Sequence, residues 1–245
     1  MPLILAGLAT SLATTTDSIF ASSATMGLQE NLQKSDEMIL QTVACYGVIF
    51  ALVRCHRLGI EWQTPSTDRT YYENIFTMSN LIDSATSRPD PIKLSCFRRF
   101  SMLNADHGMA LSVFSALVTA SSLTDPISCL ISAVAAAHGP LHFGAAASAQ
   151  KTLREIGEPA NVPAFLADVK AGKRKLSGYG HRSYKGIDPR VRPIQSILKD
   201  LPVSSNPLFQ IAETIEAAAS KDAYFLSRHL YPNADFYGTF VFTGM

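Results

Sequence analysis

The stretch Lys175 to Arg190, KLSGYGHRSYKGIDPR, sets His181 behind two glycines and among Arg182, Lys185 and Arg190. It holds too much glycine for a regular helix, so it reads as a binding loop. Gly178 and Gly180 have no Cβ, which lets the backbone turn tightly and come close to a ligand. The three cations suit a polyanionic ligand: arginine grips a carboxylate through two parallel hydrogen bonds, and lysine acts as a point charge beside phosphate. Histidine can move a proton near neutral pH. On these residues alone, an exposed basic loop with an incidental histidine stands level with the binding reading. A dinucleotide fingerprint is excluded, because no β-branched strand precedes the glycines and no third glycine opens a helix.

Outward from this loop, the chain reads as almost all helix. Alanine, leucine and small residues recur at helical period, and only the tail Thr239 to Thr243 alternates as a strand would. The 245 residues suffice for one large domain or two small ones with a substantial core. A net charge of +1 lacks the basic excess of a nucleic-acid binder. Cys45, Cys55, Cys96 and Cys129 show no CxxC pairing. They read as reduced, buried thiols of an intracellular protein, with no metal site.

The N-terminal MPLILAGLATSLATTT lacks a basic leading region, which favours a buried helix over a secretory signal. Met38 to Val53 is the most continuous apolar run, shorter than the roughly 20 residues of a membrane span. Ser35, Asp36 and Glu37 make a helix start and Gly59 a stop, so the run reads as a core helix buried on most sides, with no membrane partner. From Gly59 to Lys93 the chain reads as connecting structure around one short helix at Tyr72 to Met78, broken by Pro89 and Pro91.

Further along, LNADHGMALSVFSALVTASSL carries His107 into a helix rich in small residues, where a hydrogen-bonded core histidine is the default. Thr124-Asp125-Pro126 starts the next helix, and Gly139-Pro140 ends it. His142 stands just before the helix FGAAASAQKTLREIG, whose positive dipole end favours a neutral, hydrogen-bond-donating imidazole. A structural role there is equally open. Helices follow at Asn161 to Ala171, Pro189 to Asp200 and Asn206 to Ser220. In YPNADFYG, Asp235 lies among aromatic residues that would make its carboxylate a stronger base, suited to proton abstraction from carbon. A turn-forming aspartate is the competing reading.

Taken together these fragments resemble the citrate synthase family. Its members carry a GPLHGG loop, then NVPAF, a GFGHRVYK..DPR loop and a YPNVDFYSG segment. This chain has GPLHFG at Gly139 to Gly144, NVPAF at Asn161 to Phe165, GYGHRSYKGIDPR at Gly178 to Arg190 and YPNADFYG at Tyr231 to Gly238. Upstream, NADHGMALSVF is similar to the family's HADHE segment and TYYENIFTM to SYVENFLYM. The resemblance runs from about residue 30 to 240.

The resemblance implies an all-α, multi-helix fold with a large domain beginning in residues 1–142, a small domain over 143–236 carrying the coenzyme A loop, and a return to the large domain at 237–245. It implies a Claisen-type condensation of an acyl-CoA with oxaloacetate or a similar 2-oxo acid, giving a citrate or alkylcitrate and coenzyme A. Carried over by motif, His142 stabilises the enol, His181 is the second acid and Asp235 the base. His107 and Arg190 hold oxaloacetate, while Arg182 and Lys185, with Gly178 and Gly180, form the coenzyme A loop. Acyl-CoA is a substrate, and no permanent cofactor or metal is implied. A homodimer or partner chain is expected, in mitochondria, peroxisomes or cytosol.

This chain departs from the family pattern in three places. Gly108 replaces the acidic residue after His107. Phe143 and Ala146-Ala147 replace the family's Gly and Asn-Glu after His142, which favours an acyl chain longer than acetyl and an alkylcitrate product of secondary metabolism. Only ten residues follow Asp235, so the large domain is expected to be incomplete. The competing expectation is a shortened, non-catalytic paralogue that binds coenzyme A or serves as an interaction subunit.

Overall fold

The computed structural model describes residues 1–14, 32–105, 107–139, 141–142 and 144–245. Its helices are α1 (Pro2–Thr14), α2 (Leu32–Leu58), α3 (Tyr71–Met78), α4 (Pro91–Ala105), α5 (Leu111–Ala120) and α6 (Pro126–Ala137). After them come α7 (Gly144–Ile156), a 3-10 turn (Pro159–Asn161), α8 (Val162–Lys170), α9 (Val191–Leu198), α10 (Pro207–Ala219), α11 (Ala223–Ser227) and α12 (Ala234–Thr243). Among the described residues there is no strand, only isolated bridges at Ile82–Pro89 and Tyr179–Pro232. The architecture is all-α, as the helical period requires.

The chain divides into two compact units, Met1–Asp90 with His107–His142, and Pro91–Asp106 with Phe143–Met245. In the N-terminal unit α1 turns Ile4 and Leu8 inward against Met38 and Ile49 of α2 and Ile127 and Val134 of α6. A second cluster gathers Ala51, Ile75 and Met78 around Trp62 and Tyr72. Helix α6 starts where the sequence predicts: Asp125 accepts a hydrogen bond from the Ser128 amide at 2.9 Å, and Pro126 supplies the first turn, whose N–H has no intrahelical partner.

Helix α2 is longer and less covered than the sequence reading holds. It runs 27 residues, and although Met38, Ile49, Ala51 and Cys55 are buried, Ile39, Leu40, Val43, Phe50 and Leu52 stand exposed. Apolar residues lie all around this helix, so a neighbour on one side cannot cover them all. Its segment Ser35–Leu58 is long and apolar enough to cross a membrane by length and composition alone. Helix α5 buries no residue at all, and Leu111, Val113, Phe114, Leu117 and Val118 are each about half exposed or more. The cysteines also differ from expectation: all four are free, but only Cys55 and Cys96 are buried. Cys129 is half-buried because it lines an open apolar groove of 470 Å³ with Ile39, Tyr46 and Leu130.

The C-terminal unit has one continuous core. Leu153 and Ile156 of α7, Phe165 of α8, Ile194 of α9, Ile211 and Ile215 of α10, and Phe236, Tyr237, Phe240 and Val241 of α12 all belong to it. The tail read as a strand is therefore the second half of α12. Residues 236, 237, 240 and 241 follow helical spacing, and this burial outweighs the local β propensity of Thr239, Val241 and Thr243. The division expected at residue 236 falls inside this helix, so 237–245 stay with the C-terminal unit, which α4 also joins.

Candidate active site

From Ala171 to Arg190 the backbone is non-helical, and its glycines decide its path. Gly178 has φ 84° and Gly180 φ 79°, a region that side chains with a Cβ rarely enter. These turns lay the loop against the segment before α12. The Asn233 amide donates to Gly178 O at 2.9 Å, the Gly180 amide donates to Tyr231 O at 2.8 Å, and Asn233 Nδ2 donates to Gly180 O at 2.8 Å. Asn233 also caps α12, its Oδ1 accepting from the Asp235 amide at 3.0 Å. One asparagine thus fixes the His181 loop to the helix that bears Asp235. Asp235 occupies the second position of α12 and is half-buried, not part of an open turn.

A second tie comes from Asp188, whose side chain is fully buried. Its Oδ1 accepts from the Arg190 amide and Nε, both at 3.0 Å, and its Oδ2 accepts from Arg190 Nη2 at 2.7 Å and from the Ala234 amide at 3.0 Å. Burial alone would push this carboxyl up, but the bonds from Arg190 and Ala234 outweigh it and hold Asp188 below the ordinary carboxylate range. Arg190 is left with one guanidinium edge, and Nη1 on that edge lies 3.4 Å from Asn104 Oδ1.

His181 is half-buried in the loop, with the Tyr184 ring 4.6 Å away centroid to centroid. Its Nδ1 accepts from the Ser183 amide at 3.1 Å. A ring nitrogen that accepts carries no proton, so the neutral imidazole has its hydrogen on Nε2, where it can donate to an oxygen. Arg182 and Lys185 are exposed on the same loop.

The remaining candidates lie in the N-terminal unit. His107 is half-buried, ahead of Gly108 at φ 62° in the segment that leads into α5. His142 is half-buried, and its Nε2 lies 2.9 Å from Ser112 Oγ of α5. Its amide donates to Gly139 O at 3.0 Å, closing the turn after α6. Phe143, expected to reshape the acyl pocket, lies outside the described residues. Ala146 and Ala147 sit in the first turn of α7, half-buried and exposed respectively.

Beneath the loop, Tyr179 packs edge-on against Phe236 and Phe225 at 5.0 and 6.3 Å. Its hydroxyl is buried without a hydrogen-bond partner among the described residues. Burial, with the Glu216 carboxylate adding to it, pushes this phenol well above its usual range. Tyr237, by contrast, donates to Glu216, which also accepts from Gln195 Nε2 at 2.7 Å. A buried hydroxyl that bonds to nothing costs its full desolvation, so Tyr179→Phe is expected to stabilise the fold by about 1 kcal/mol. Chemical denaturation of the two proteins checks this; a lower midpoint for the phenylalanine variant would show that the hydroxyl has a partner.

Among the described residues no group of three or more His, Cys, Asp or Glu side chains is arranged to hold a metal ion. The candidates are instead side chains whose chemistry suits proton transfer or anion pairing: His107 and His142 in the N-terminal unit, and His181, Arg190 and Asp235 in the C-terminal unit. Sequence reading passes over Asp188, Asn233 and Ser112, each of which bonds to a candidate residue or to the element that carries it. Asp188 stands two residues before Arg190 and Asn233 two before Asp235, a spacing that suits carboxylate and amide side chains to local backbone capping.

Known proteins resemble this chain over most of its length. The family model described as "Citrate synthase, C-terminal domain" matches residues 4–245. The alkylcitrate synthase phiJ of a fungal strain is 46% identical over 244 residues, 99% of this chain and 53% of that protein. The alkylcitrate synthase tstJ of Talaromyces stipitatus is 39% identical over 247 residues, 99% of this chain and 54% of that protein. Among solved structures, citrate synthase from Pyrobaculum aerophilum superposes with a TM-score of 0.84 at 31% identity, covering 98% of this chain and 60% of that one. The Thermoplasma acidophilum enzyme, solved as a ternary complex with carboxymethyl coenzyme A and oxaloacetate, gives 0.78 at 27% identity, covering 98% and 60%. The chain spans about half the length of the curated relatives it matches.

Proposed function

This chain belongs to the citrate synthase family, and we propose that it carries out a Claisen-type condensation of an acyl-CoA with oxaloacetate or a similar 2-oxo acid. Asp235 takes a proton from the carbon beside the thioester while His142 donates a hydrogen bond to the thioester oxygen, so the enolate charge is met as it develops. The enol carbon then bonds to the ketone carbon of the 2-oxo acid. His181 donates from Nε2 to the ketone oxygen, the tautomer favoured by the Ser183 amide at its Nδ1. Arg190 and His107 hold the carboxylates, and Arg182 and Lys185 meet the phosphates of coenzyme A. Water then hydrolyses the thioester, releasing coenzyme A and a citrate or alkylcitrate.

The observation that carries this reading is the pair of ties inside the C-terminal unit. The loop bearing His181 and Arg190 is hydrogen-bonded to the start of α12, which bears Asp235, through both Asn233 and Asp188. A carboxylate base, an imidazole donor and a guanidinium held by one network are what an enolisation next to a carboxylate-bearing electrophile requires. The non-catalytic subunit is the less favoured reading, since this chain carries His142, His181 and Asp235 together and is 46% and 39% identical to named alkylcitrate synthases.

Those relatives also support an acyl group longer than acetyl and a place in secondary metabolism. We assign the N-terminal unit to the large domain and the C-terminal unit to the small one. The bare apolar face of α5 fits a second copy or a partner chain, and the four free cysteines fit a reducing compartment inside the cell.

The test is release of free thiol from a panel of acyl-CoAs, acetyl to dodecanoyl, with and without oxaloacetate. Oxaloacetate-dependent release that is faster with medium or long chains is the expected result. Turnover of acetyl-CoA alone would remove the chain-length reading, and well-folded protein that binds coenzyme A without releasing it would favour the interaction subunit.

A further inference from the structure

We propose that Asp188 is a positioning residue: its carboxylate joins the guanidinium of Arg190 and the first turn of α12, which bears Asp235, into one piece of fixed geometry. The proposal rests on the condensation reading above. It starts from the saturation of a buried anion. Both oxygens of Asp188 are occupied, each by two donors, three from Arg190 and one from the Ala234 amide, and its side chain has no exposure to water. Because α12 already has an end-cap in Asn233, the bond from the Ala234 amide to a residue 46 positions earlier does more than end the helix. It sets where the helix starts relative to the loop.

The same carboxylate decides how Arg190 faces a ligand. By taking Nε and Nη2 in a bidentate grip it fixes the guanidinium plane and turns the edge between Nη1 and Nη2, where Nη1 also reaches Asn104 Oδ1 at 3.4 Å, toward a substrate carboxylate. With its side chain 14% exposed, Arg190 can still meet a small anion. Asparagine at position 188 would keep the shape but offer one acceptor oxygen. Its NH2 group would then confront either the Arg190 donors or the Ala234 amide. Such a change loosens the grip on the 2-oxo acid and the placement of the base together, which a residue serving only one of them would not do.

The experiment compares Asp188→Asn, Arg190→Gln and the double variant with the unsubstituted protein. One readout is hydrogen exchange at the amides of Ala234 and Asp235, with Leu153 in α7 as internal reference; the other is thiol release resolved into kcat and KM for oxaloacetate. For Asp188→Asn, exchange at Ala234 is expected to quicken by about tenfold while Leu153 is unchanged, with KM raised and kcat lowered by about tenfold each. The KM of the double variant should match that of Arg190→Gln alone, because Asp188 acts on the substrate through that arginine. Should Asp188→Asn fail to fold, the double variant carries the exchange readout, since it leaves no guanidinium without its partner. Unchanged exchange at Ala234, or KM effects that simply add, would overturn the proposal. If the unsubstituted protein releases no thiol, the condensation reading fails, and exchange at Ala234 still decides whether Asp188 holds the helix start.

Discussion

Replacing Asp235 by asparagine is expected to lower oxaloacetate-dependent thiol release by about a thousandfold or more while leaving the protein folded. Asparagine matches aspartate in shape but cannot take up a proton from carbon, so only the proton-transfer step should suffer. The fold is expected to survive the change, because asparagine keeps the size and shape of the side chain. Asp235 sits in the first turn of α12, whose end is already capped by Asn233, and losing a negative charge there costs about 0.3–1 kcal/mol through the helix dipole. Steady-state assays beside circular dichroism separate the two effects. If the variant turned over within about tenfold of the original, another group would be the base, and the assignment of α12 to the chemistry would fall with it.

The second large effect concerns Gly178, where alanine is expected to cost about 3 kcal/mol and to abolish turnover. Two terms add. The backbone holds φ at 84°, where a Cβ meets the neighbouring carbonyl and costs roughly 1–2 kcal/mol. That Cβ would also stand 2.9 Å from Phe236 Cβ and 3.0 Å from Phe236 Cα. Phe236 Cα is backbone within α12 and cannot swing aside as a side chain could, so the loop and helix must part. The hydrogen bond from the Asn233 amide to Gly178 O would break at the same point. Denaturation midpoints and thiol release check the prediction together. An alanine variant with unchanged stability would mean that the loop can leave α12 freely. Gly180→Ala is a graded comparison, because its Cβ would meet only the flexible end of Leu230, at 3.1 Å.

How far the sequence carries differs from element to element. The helices from α6 to α10 were legible because punctuation and burial agree: Asp125-Pro126 and Asn206-Pro207 open them, and Gly139 and Gly172 follow their ends. The loop from 171 to 190 was legible from its glycines. Helix α12 was half lost, since Thr239, Val241 and Thr243 favour a strand locally and only the packing of Phe236, Phe240 and Val241 into the core decides otherwise. The extent of α2 was misread for a related reason: an apolar run says that water is disfavoured but not which neighbours will cover it. Of the candidate site, the histidines, Asp235 and the cations could be picked out by type and motif. Asp188, Asn233 and Ser112 could not, because what ties each to the candidates is a partner in a distant segment: the Ala234 amide for Asp188, Gly180 O for Asn233 and His142 for Ser112.

The ties around Asn233 and Asp188 also bear on how such a protein can diversify. Two segments more than forty residues apart share one hydrogen-bonding scheme, so a substitution in either is judged by the fit of the other, and neither can drift alone. Novelty in the product would then have to enter where no such bargain binds, and the small residues at the start of α7, Ala146 and Ala147, are free of it. Under the proposed condensation, a lineage would exchange one acyl group for another there while handing down the proton chemistry unaltered.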